Sequence, residues 1–187
     1  MIKFALAAVL AAGLPLAASA QEVTPDGSRA IAIEPYVGVL GGYHSFDKNS
    51  AFGTSGARGK MDGALISGVA GVNVPLGALF VGVEGNATKG FKDIDWEYGV
   101  KGRAGFRAGA TGLLYVSAGY QWVNGRGNRG FADHKDWMWG GGLELGAKDV
   151  GLNSFSGAHS PRLRLQIDTY DKFESIRPMA GVVFPFG

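Results

Sequence analysis

Two short stretches of the sequence bring together side chains of the types used in nucleophilic catalysis. His44, Ser45 and Asp47 follow a run of apolar residues, and His159 stands directly before Ser160. A hydroxyl nucleophile needs a histidine base and a carboxylate that orients this histidine. Each stretch holds part of such a set, and each lies between apolar segments, where polar side chains are normally solvated.

A further acid–histidine pair, Asp133-His134, also lies between apolar segments. The sequence contains no phosphate-binding loop, nucleophile elbow or recognisable pattern of metal ligands. Because histidine and aspartate in loops are usually plain solvated groups, these pairs give little support for catalysis. We therefore predict that the protein is not an enzyme and has no catalytic residue, cofactor or metal site.

A larger set of charged side chains recurs in the middle of segments that alternate with apolar residues. Its members are Glu84, Lys101, Arg103, Glu144, Arg164 and Asp168. Counting back from the intervening turns places Glu84 beside Lys101, and Glu144 opposite Arg164. Charges at mid-strand would be costly in lipid, whereas inside a narrow barrel they can pair and fill the space. We predict a structural network of ion pairs in a barrel interior; the alternative is a selectivity or proton-path role.

Eight stretches of two-residue apolar alternation must position these side chains, and turn-rich segments separate them. The predicted strands are 35–43, 64–74, 79–88, 95–107, 113–123, 137–146, 162–170 and 176–186. Strands of about 9–11 residues suit a tilted crossing of a bilayer, and closing the sheet leaves no unpaired edge. The predicted fold is all-β: an eight-stranded antiparallel up-and-down transmembrane β-barrel.

Aromatic residues on the apolar faces of these strands sort by height. If both termini are periplasmic, the outer ends of the strands carry Tyr43, Trp96, Tyr98, Tyr120, Trp122, Trp137 and Trp139, and the opposite ends carry Phe106, Phe184 and Phe186. Val, Leu, Ile, Ala and Gly lie between the two levels. Aromatic residues at one level are typical of the girdle at a membrane–water interface. The apolar faces are therefore predicted to point outward, with the seven outer residues as the outer girdle.

The N-terminal segment predicts export. A lysine, a short apolar run and the small-residue ending Ala18-Ser19-Ala20 form a signal peptide over residues 1–20. We predict a flexible periplasmic segment at 21–32 and the barrel at 33–187. The chain has 187 residues, no cysteine and a net charge of +2 from 18 basic and 16 acidic residues, a balance that argues against nucleic-acid binding.

Several short motifs, in order, resemble a known family. They are Pro35-Tyr36-Val37-Gly38, Val81-Gly82-Val83-Glu84-Gly85, Gly102-Arg103-Ala104-Gly105-Phe106 and Gly142-Leu143-Glu144-Leu145. The chain resembles the small eight-stranded outer-membrane barrels of the opacity-porin and OmpA-like type, including alphaproteobacterial surface barrels.

This resemblance implies a non-enzymatic structural or surface-interaction role in the bacterial outer membrane, reached through the general secretory route. The implied partners are outer-membrane lipid and lipopolysaccharide, host or surface ligands at the loops, and the barrel-assembly machinery, which recognises a C-terminal aromatic residue. Phe184 and Phe186 are the matching positions for this assembly signal, although Gly187 departs from the family by following them.

Other functions remain open from the sequence. One lipid A-modifying type of barrel enzyme carries His-x-Ser, whereas His159 and Ser160 are adjacent here; another type uses loop residues such as His44 and Ser45. A narrow pore for small solutes and a soluble barrel with an internal ligand are further alternatives. Basic loop residues can contact lipopolysaccharide phosphates or be merely solvated; they are Arg58, Lys60, Arg126 and Arg129.

Overall fold

The computed structural model describes residues 33–47, 60–108, 112–146 and 160–186. These residues form eight strands and a short 3-10 turn at Gly127–Arg129. The strands are β1 (Glu34–Phe46), β2 (Asp62–Leu76), β3 (Leu79–Gly90), β4 (Ile94–Ala108), β5 (Gly112–Gly125), β6 (His134–Gly146), β7 (Arg162–Tyr170) and β8 (Ser175–Pro185). The predicted signal peptide and the 21–32 segment lie outside the described residues.

Each strand pairs antiparallel with its neighbours in the chain, and β8 returns to pair with β1. Val39 on β1 lies opposite Val182 on β8, which closes the sheet. The predicted all-β, eight-stranded antiparallel up-and-down barrel is therefore confirmed. Closure gives the backbone of every strand a partner on both sides, so the described sheet has no edge.

The strands are strongly tilted about the barrel axis. The tilt follows from the register of the paired residues. A path that starts at Glu34 on β1 and steps from each residue to its partner on the next strand passes Arg103 on β4 and reaches Arg177 on β8. Arg177 then lies at the level of His44, ten residues further along β1. A stagger of this kind accompanies strand tilt in closed barrels, so residues of one height come from different positions along neighbouring strands.

The strands extend beyond the predicted limits where backbone pairing continues past the apolar alternation. His44 and Ser45, assigned to a loop by the sequence, lie on β1, and His134 begins β6. Phe46 still donates its backbone N–H to the carbonyl of Met61 at 3.0 Å, because ladder hydrogen bonds do not depend on side-chain polarity. β8 ends one residue earlier than predicted, at Pro185.

The two ends of the barrel differ. At the turn end, β2 and β3 are joined through Gly77, whose φ of +72° favours glycine. At the loop end, where β1, β3, β5 and β7 finish, the described connections are 91–93, 126–133 and 171–174. No helix among the described residues is long and apolar enough to span a membrane.

Two apolar clusters lie inside the barrel. The larger one is toward the loop end and includes Phe46, Met61, Ile94, Val123 and Phe131; the smaller one, at the turn end, is Phe80, Leu113 and Tyr115. Between them the inward side chains are largely charged or polar. The apolar residues that alternate with these inward positions are exposed on the outer wall.

Candidate functional site

Glu84 on β3 is the centre of the charged interior. Its carboxylate accepts hydrogen bonds from the Tyr36 hydroxyl at 2.7 Å and from Arg103 at 3.3 Å, and it also pairs with Arg164. Lys101 lies 3.2 Å from the same carboxylate, as the register that places Glu84 opposite Lys101 requires. Three cations therefore neutralise one buried carboxylate.

Glu144 on β6 is the second carboxylate of this group. Arg103 and Arg164 reach it at 2.6 and 2.7 Å, and Arg162 lies 3.5 Å away. Both Arg103 and Arg164 therefore bridge Glu84 and Glu144 across the barrel. The guanidinium of Arg103 also lies 3.9 Å from the centre of the Tyr115 ring, a cation–π contact that stabilises the charge in a poorly solvated place.

A further group of pairs continues toward the loop end. Arg177 donates to Asp168 at 2.7 Å and to Glu97 at 2.8 Å, and the Glu97 carboxylate lies 2.5 Å from Nδ1 of His44. Lys101, 3.8 Å from Asp168, links this group to Glu84. The six charged residues predicted to line the interior all lie there, in one connected network with Glu97, Arg177 and His44.

Toward the turn end the network continues through residues that are less buried. Arg162 lies 3.9 Å from Glu34, and Arg107 pairs with Glu34 at 2.8 Å. Alternating charges thus run from Glu97 to Arg107, through the middle of the barrel to its turn end. Buried pairs of this kind cost desolvation energy and act mainly by enforcing one arrangement of side chains.

Sequence reasoning missed some members of this network. Glu97 shares a face of β4 with Lys101 and Arg103, and Arg177 alternates with the apolar outward residues of β8. This two-residue alternation could have identified both residues as inward-facing. Tyr36 was harder to find, because a tyrosine in an apolar strand has no polarity that marks it as inward.

Five of the seven predicted girdle residues form one patch on the outer wall. Tyr98 stacks on Trp122 with ring centres 5.8 Å apart, and Tyr120 packs edge-on against Trp122 and Trp137 at 5.1 and 5.9 Å. Trp137 and Trp139 lie 6.4 Å apart. We call Tyr98, Tyr120, Trp122, Trp137 and Trp139 the aromatic patch; it covers β4, β5 and β6.

The other two predicted girdle residues lie outside this patch. Trp96 is on β4 near the loop end, where the Lys89 amine sits 4.8 Å above its ring. Tyr43 is outward and exposed on β1. The outward aromatic residues near the loop end are therefore concentrated on one side of the barrel.

The loop end is held together by polar contacts around Asp93. Its carboxylate accepts hydrogen bonds from Arg129 at 3.2 Å and from the backbone N–H of Asp62 at 3.4 Å. Lys92 pairs with Asp62, and the hydrogen bond that it donates raises the pKa of its amine. Arg129 and the backbone N–H of Arg126, which donates to the carbonyl of Asp93 at 2.9 Å, fasten the β5–β6 loop to the β3–β4 turn. Phe131 of this loop is buried in the barrel mouth.

The basic loop residues already have partners within the chain. Lys60 donates to the Ser45 hydroxyl at 2.9 Å, and Arg126 donates to the carbonyl of Ile94 at 3.4 Å. Arg129 is bound to Asp93, as described above. Arg58 lies outside the described residues.

The candidate catalytic groups are not assembled. His44 is fully buried and bonded to Glu97, whereas Ser45, the next residue of the same strand, points to the other face and accepts from Lys60. His159 lies outside the described residues, and Ser160 is buried. Among the described residues, no group of His, Asp and Glu side chains is placed to hold a metal ion.

The C-terminal phenylalanines lie beside β1. Phe184 is exposed on the outer wall opposite Val37, and Phe186 donates its backbone N–H to the carbonyl of Pro35 at 2.9 Å. Gly187 lies outside the described residues.

Several solved structures resemble this barrel. A de novo designed transmembrane β-barrel shares 10% of its residues, with a TM-score of 0.48 over 83% of this chain and 97% of the design. Neisserial surface protein A (NspA) shares 15%, with a TM-score of 0.45 over 80% and 96%. A loop L8 deletion mutant of OmpT, an outer membrane protein of Vibrio cholerae, shares 16%, with a TM-score of 0.33 over 88% and 57%.

These similarities concern the fold alone. No family model matches the sequence, and no curated protein matches it.

Proposed function

We propose that this chain is a bacterial outer-membrane β-barrel with a structural and surface-interaction role and no enzymatic activity. One observation carries the proposal: the polarity of the barrel is the reverse of that of a water-soluble protein. Charged side chains fill its interior, whereas Val116 is 67% exposed and Phe106 is 61% exposed on its outer wall. A continuous apolar surface of this kind calls for an apolar solvent.

The heights of the outward residues support an orientation with the loop end outside the cell. The aromatic patch lies near the loop end, and Phe106 and Phe184 lie near the turn end, so two aromatic levels bound the apolar wall. In this orientation the patch meets the headgroups of outer-leaflet lipid and lipopolysaccharide, and Phe184 and Phe186 present the assembly signal to the barrel-assembly machinery.

The filled interior favours envelope integrity over solute conduction. The larger apolar cluster fills the loop end, ion pairs occupy the middle, and both the smaller apolar cluster and ion pairs fill the turn end. An eight-stranded barrel is just wide enough for side chains to fill. The motifs that resemble opacity-porin and OmpA-like barrels support a role of the same type, with the loops as the contact surface for host or environmental ligands.

A lipid A-modifying activity has less support. His44, the histidine of the candidate loop cluster, is buried and bonded to Glu97, so it is not available to a substrate at the outer surface. Ser45 faces away from it, and its hydroxyl already accepts a hydrogen bond from Lys60.

Cell fractionation and heat-modifiable migration on a detergent gel test the proposal together. Protein from purified outer membranes should migrate as a compact band when unheated and as a slower band after boiling, because a closed barrel resists detergent until it is heated. Recovery of folded protein in the soluble periplasm would contradict the membrane location. Identical migration with and without boiling would contradict a detergent-resistant barrel.

A further inference from the structure

A groove crosses the outer wall near the loop end, where β6, β7 and β8 adjoin. Its volume is about 520 Å³, and its apolar walls are formed by Trp139, Ile167, Phe173 and Ile176. Gly141 also lines the groove and, two residues from Trp139 on β6, faces outward without a side chain, so the wall is recessed beside Trp139. The groove is a concave site in the apolar outer wall.

Phe173, which caps this groove, is not explained by folding. Its side chain is 78% exposed, and its backbone has a φ of +65°. A bulky residue at positive φ is an outlier, and glycine would adopt this conformation without strain. Asp171 of the same turn also has a positive φ, +44°, so the turn as a whole is strained. Strain of this kind is found at ligand clamps, and here it holds an exposed aromatic ring beside the groove.

We propose that the groove holds one acyl chain of an outer-leaflet lipid, the lipid A part of lipopolysaccharide, with Phe173 closing over the chain. The inference rests on the proposed function, because the groove faces lipid only if the outer wall does. It is continuous with the apolar outer wall and borders Trp139 of the aromatic patch, so one end opens at headgroup height. Its volume lies within the range of pockets for ligands of a few tens of atoms.

Charged groups of both signs surround the mouth of the groove. Lys172 is exposed beside Phe173, and Lys135 is exposed on β6 above the aromatic patch; both can meet lipid phosphates. Asp47 lines the groove, and Asp171 and Glu174 lie in the same turn as Lys172. Because the acidic groups outnumber the basic ones here, recognition rests on the apolar walls and not on charge.

Quenching of single tryptophans by lipid tests the site directly. One variant keeps only Trp139 (Trp96→Phe, Trp122→Phe and Trp137→Phe). The matched control keeps only Trp96 (Trp122→Phe, Trp137→Phe and Trp139→Phe). The two indoles have similar exposure, 48% and 44%, but only Trp139 lines the groove.

Each variant is placed in phosphatidylcholine vesicles with brominated acyl chains, and unbrominated lipid A is then added. Added lipid A dilutes the brominated lipid and so raises the fluorescence of both tryptophans. We expect the fluorescence of Trp139 to rise further, because lipid A displaces a brominated chain from the groove. The fluorescence of Trp96 should rise only by the amount that dilution explains. Equal recovery at both positions would overturn the inference and leave the proposed function intact. Quenching at Trp96 but none at Trp139 would also overturn it, because protein, such as a second copy, would then cover the groove.

If neither tryptophan is quenched, the proposed function fails together with the inference. Adding Phe173→Gly to the Trp139 variant tests the cap. We expect it to abolish the selective recovery while the protein unfolds at the same or a higher urea concentration, because the strain is relieved. Phe91→Gly, which removes an exposed phenylalanine from another loop-end turn, should leave the recovery unchanged. Selective recovery that survives Phe173→Gly would refute the role of the cap.

Discussion

The inner and outer faces of this barrel are made by alternate residues of the same strands, yet the inner face is charged and buried and the outer face is apolar and exposed. On β4, Val100 is exposed and the adjacent Lys101 is buried; on β7, Leu165 is exposed and the adjacent Arg164 is buried. A shift of the register by one residue would put the charges outside and the aliphatic side chains inside. The difference teaches that the interior depends on specific side-chain pairs, whereas most positions of the outer wall only have to be apolar.

The interior obtains this specificity from ion pairs in which each charged group contacts several partners. Arg164 contacts both Glu84 and Glu144 from a third strand, so its position depends on the whole circumference. The part of the outer wall that the structure describes carries no comparable network of ion pairs. Its residues can be exchanged for others of similar polarity, provided that they remain apolar. Mutations on the two faces should therefore lower the free energy of unfolding by different amounts and for different reasons.

The largest effect is expected from Arg164→Ala. It leaves the carboxylates of Glu84 and Glu144 buried with fewer cations, and breaking a buried pair in this way costs about 3–5 kcal/mol. The free energy of unfolding from urea titration in lipid vesicles measures the loss. Arg107→Ala is the control, because its pair with Glu34 is partly exposed and should be worth less than about 1 kcal/mol. If both variants lose the same free energy of unfolding, the buried central network contributes no more to stability than a partly exposed ion pair.

A charge on the outer wall should have the next largest effect. Val116→Arg places a cation in the middle of the apolar wall, which costs about 2–4 kcal/mol in a bilayer and far less in water. The same titration in vesicles measures it, with Val116→Leu as the control. A change of less than about 0.5 kcal/mol, as for an ordinary surface position, would show that this face does not contact hydrocarbon.

The smallest effect is expected from Lys89→Ala at the loop end. Lys89 pairs with the partly exposed Asp95 at 2.6 Å and lies over the Trp96 ring; at exposed sites an ion pair is worth about 0.2–1 kcal/mol and a cation–π contact about 0.5–1 kcal/mol. The loss of stability should shrink further when salt is added, since exposed charges are screened. Unfolding titrations at two salt concentrations check this, and a loss that is large and independent of salt would contradict the assignment of Lys89 to the water-exposed rim.

A contact could be predicted from the sequence when its two residues lie close together in the chain. The limits of β7 were predicted to the residue, because Leu163, Leu165 and Ile167 alternate with polar residues without interruption. Pairing of Glu84 with Lys101 followed from counting across a short turn. Contacts across the barrel could not be counted in this way. Glu84 and Arg164 lie 80 positions apart, and the local sequence around either residue does not show that they contact each other.

The sequence by itself determined that alternate faces of eight strands differ in polarity, because side-chain direction in a strand has a period of two residues. It also determined the height of the aromatic residues along each strand. Only the tertiary structure decided that Phe131 is buried in the barrel mouth and which partners Glu97 and Arg177 bind in the interior. These features depend on strand tilt and on loops folding back over the opening. Tilt and loop path come from closure of the whole sheet, and no single segment encodes that closure.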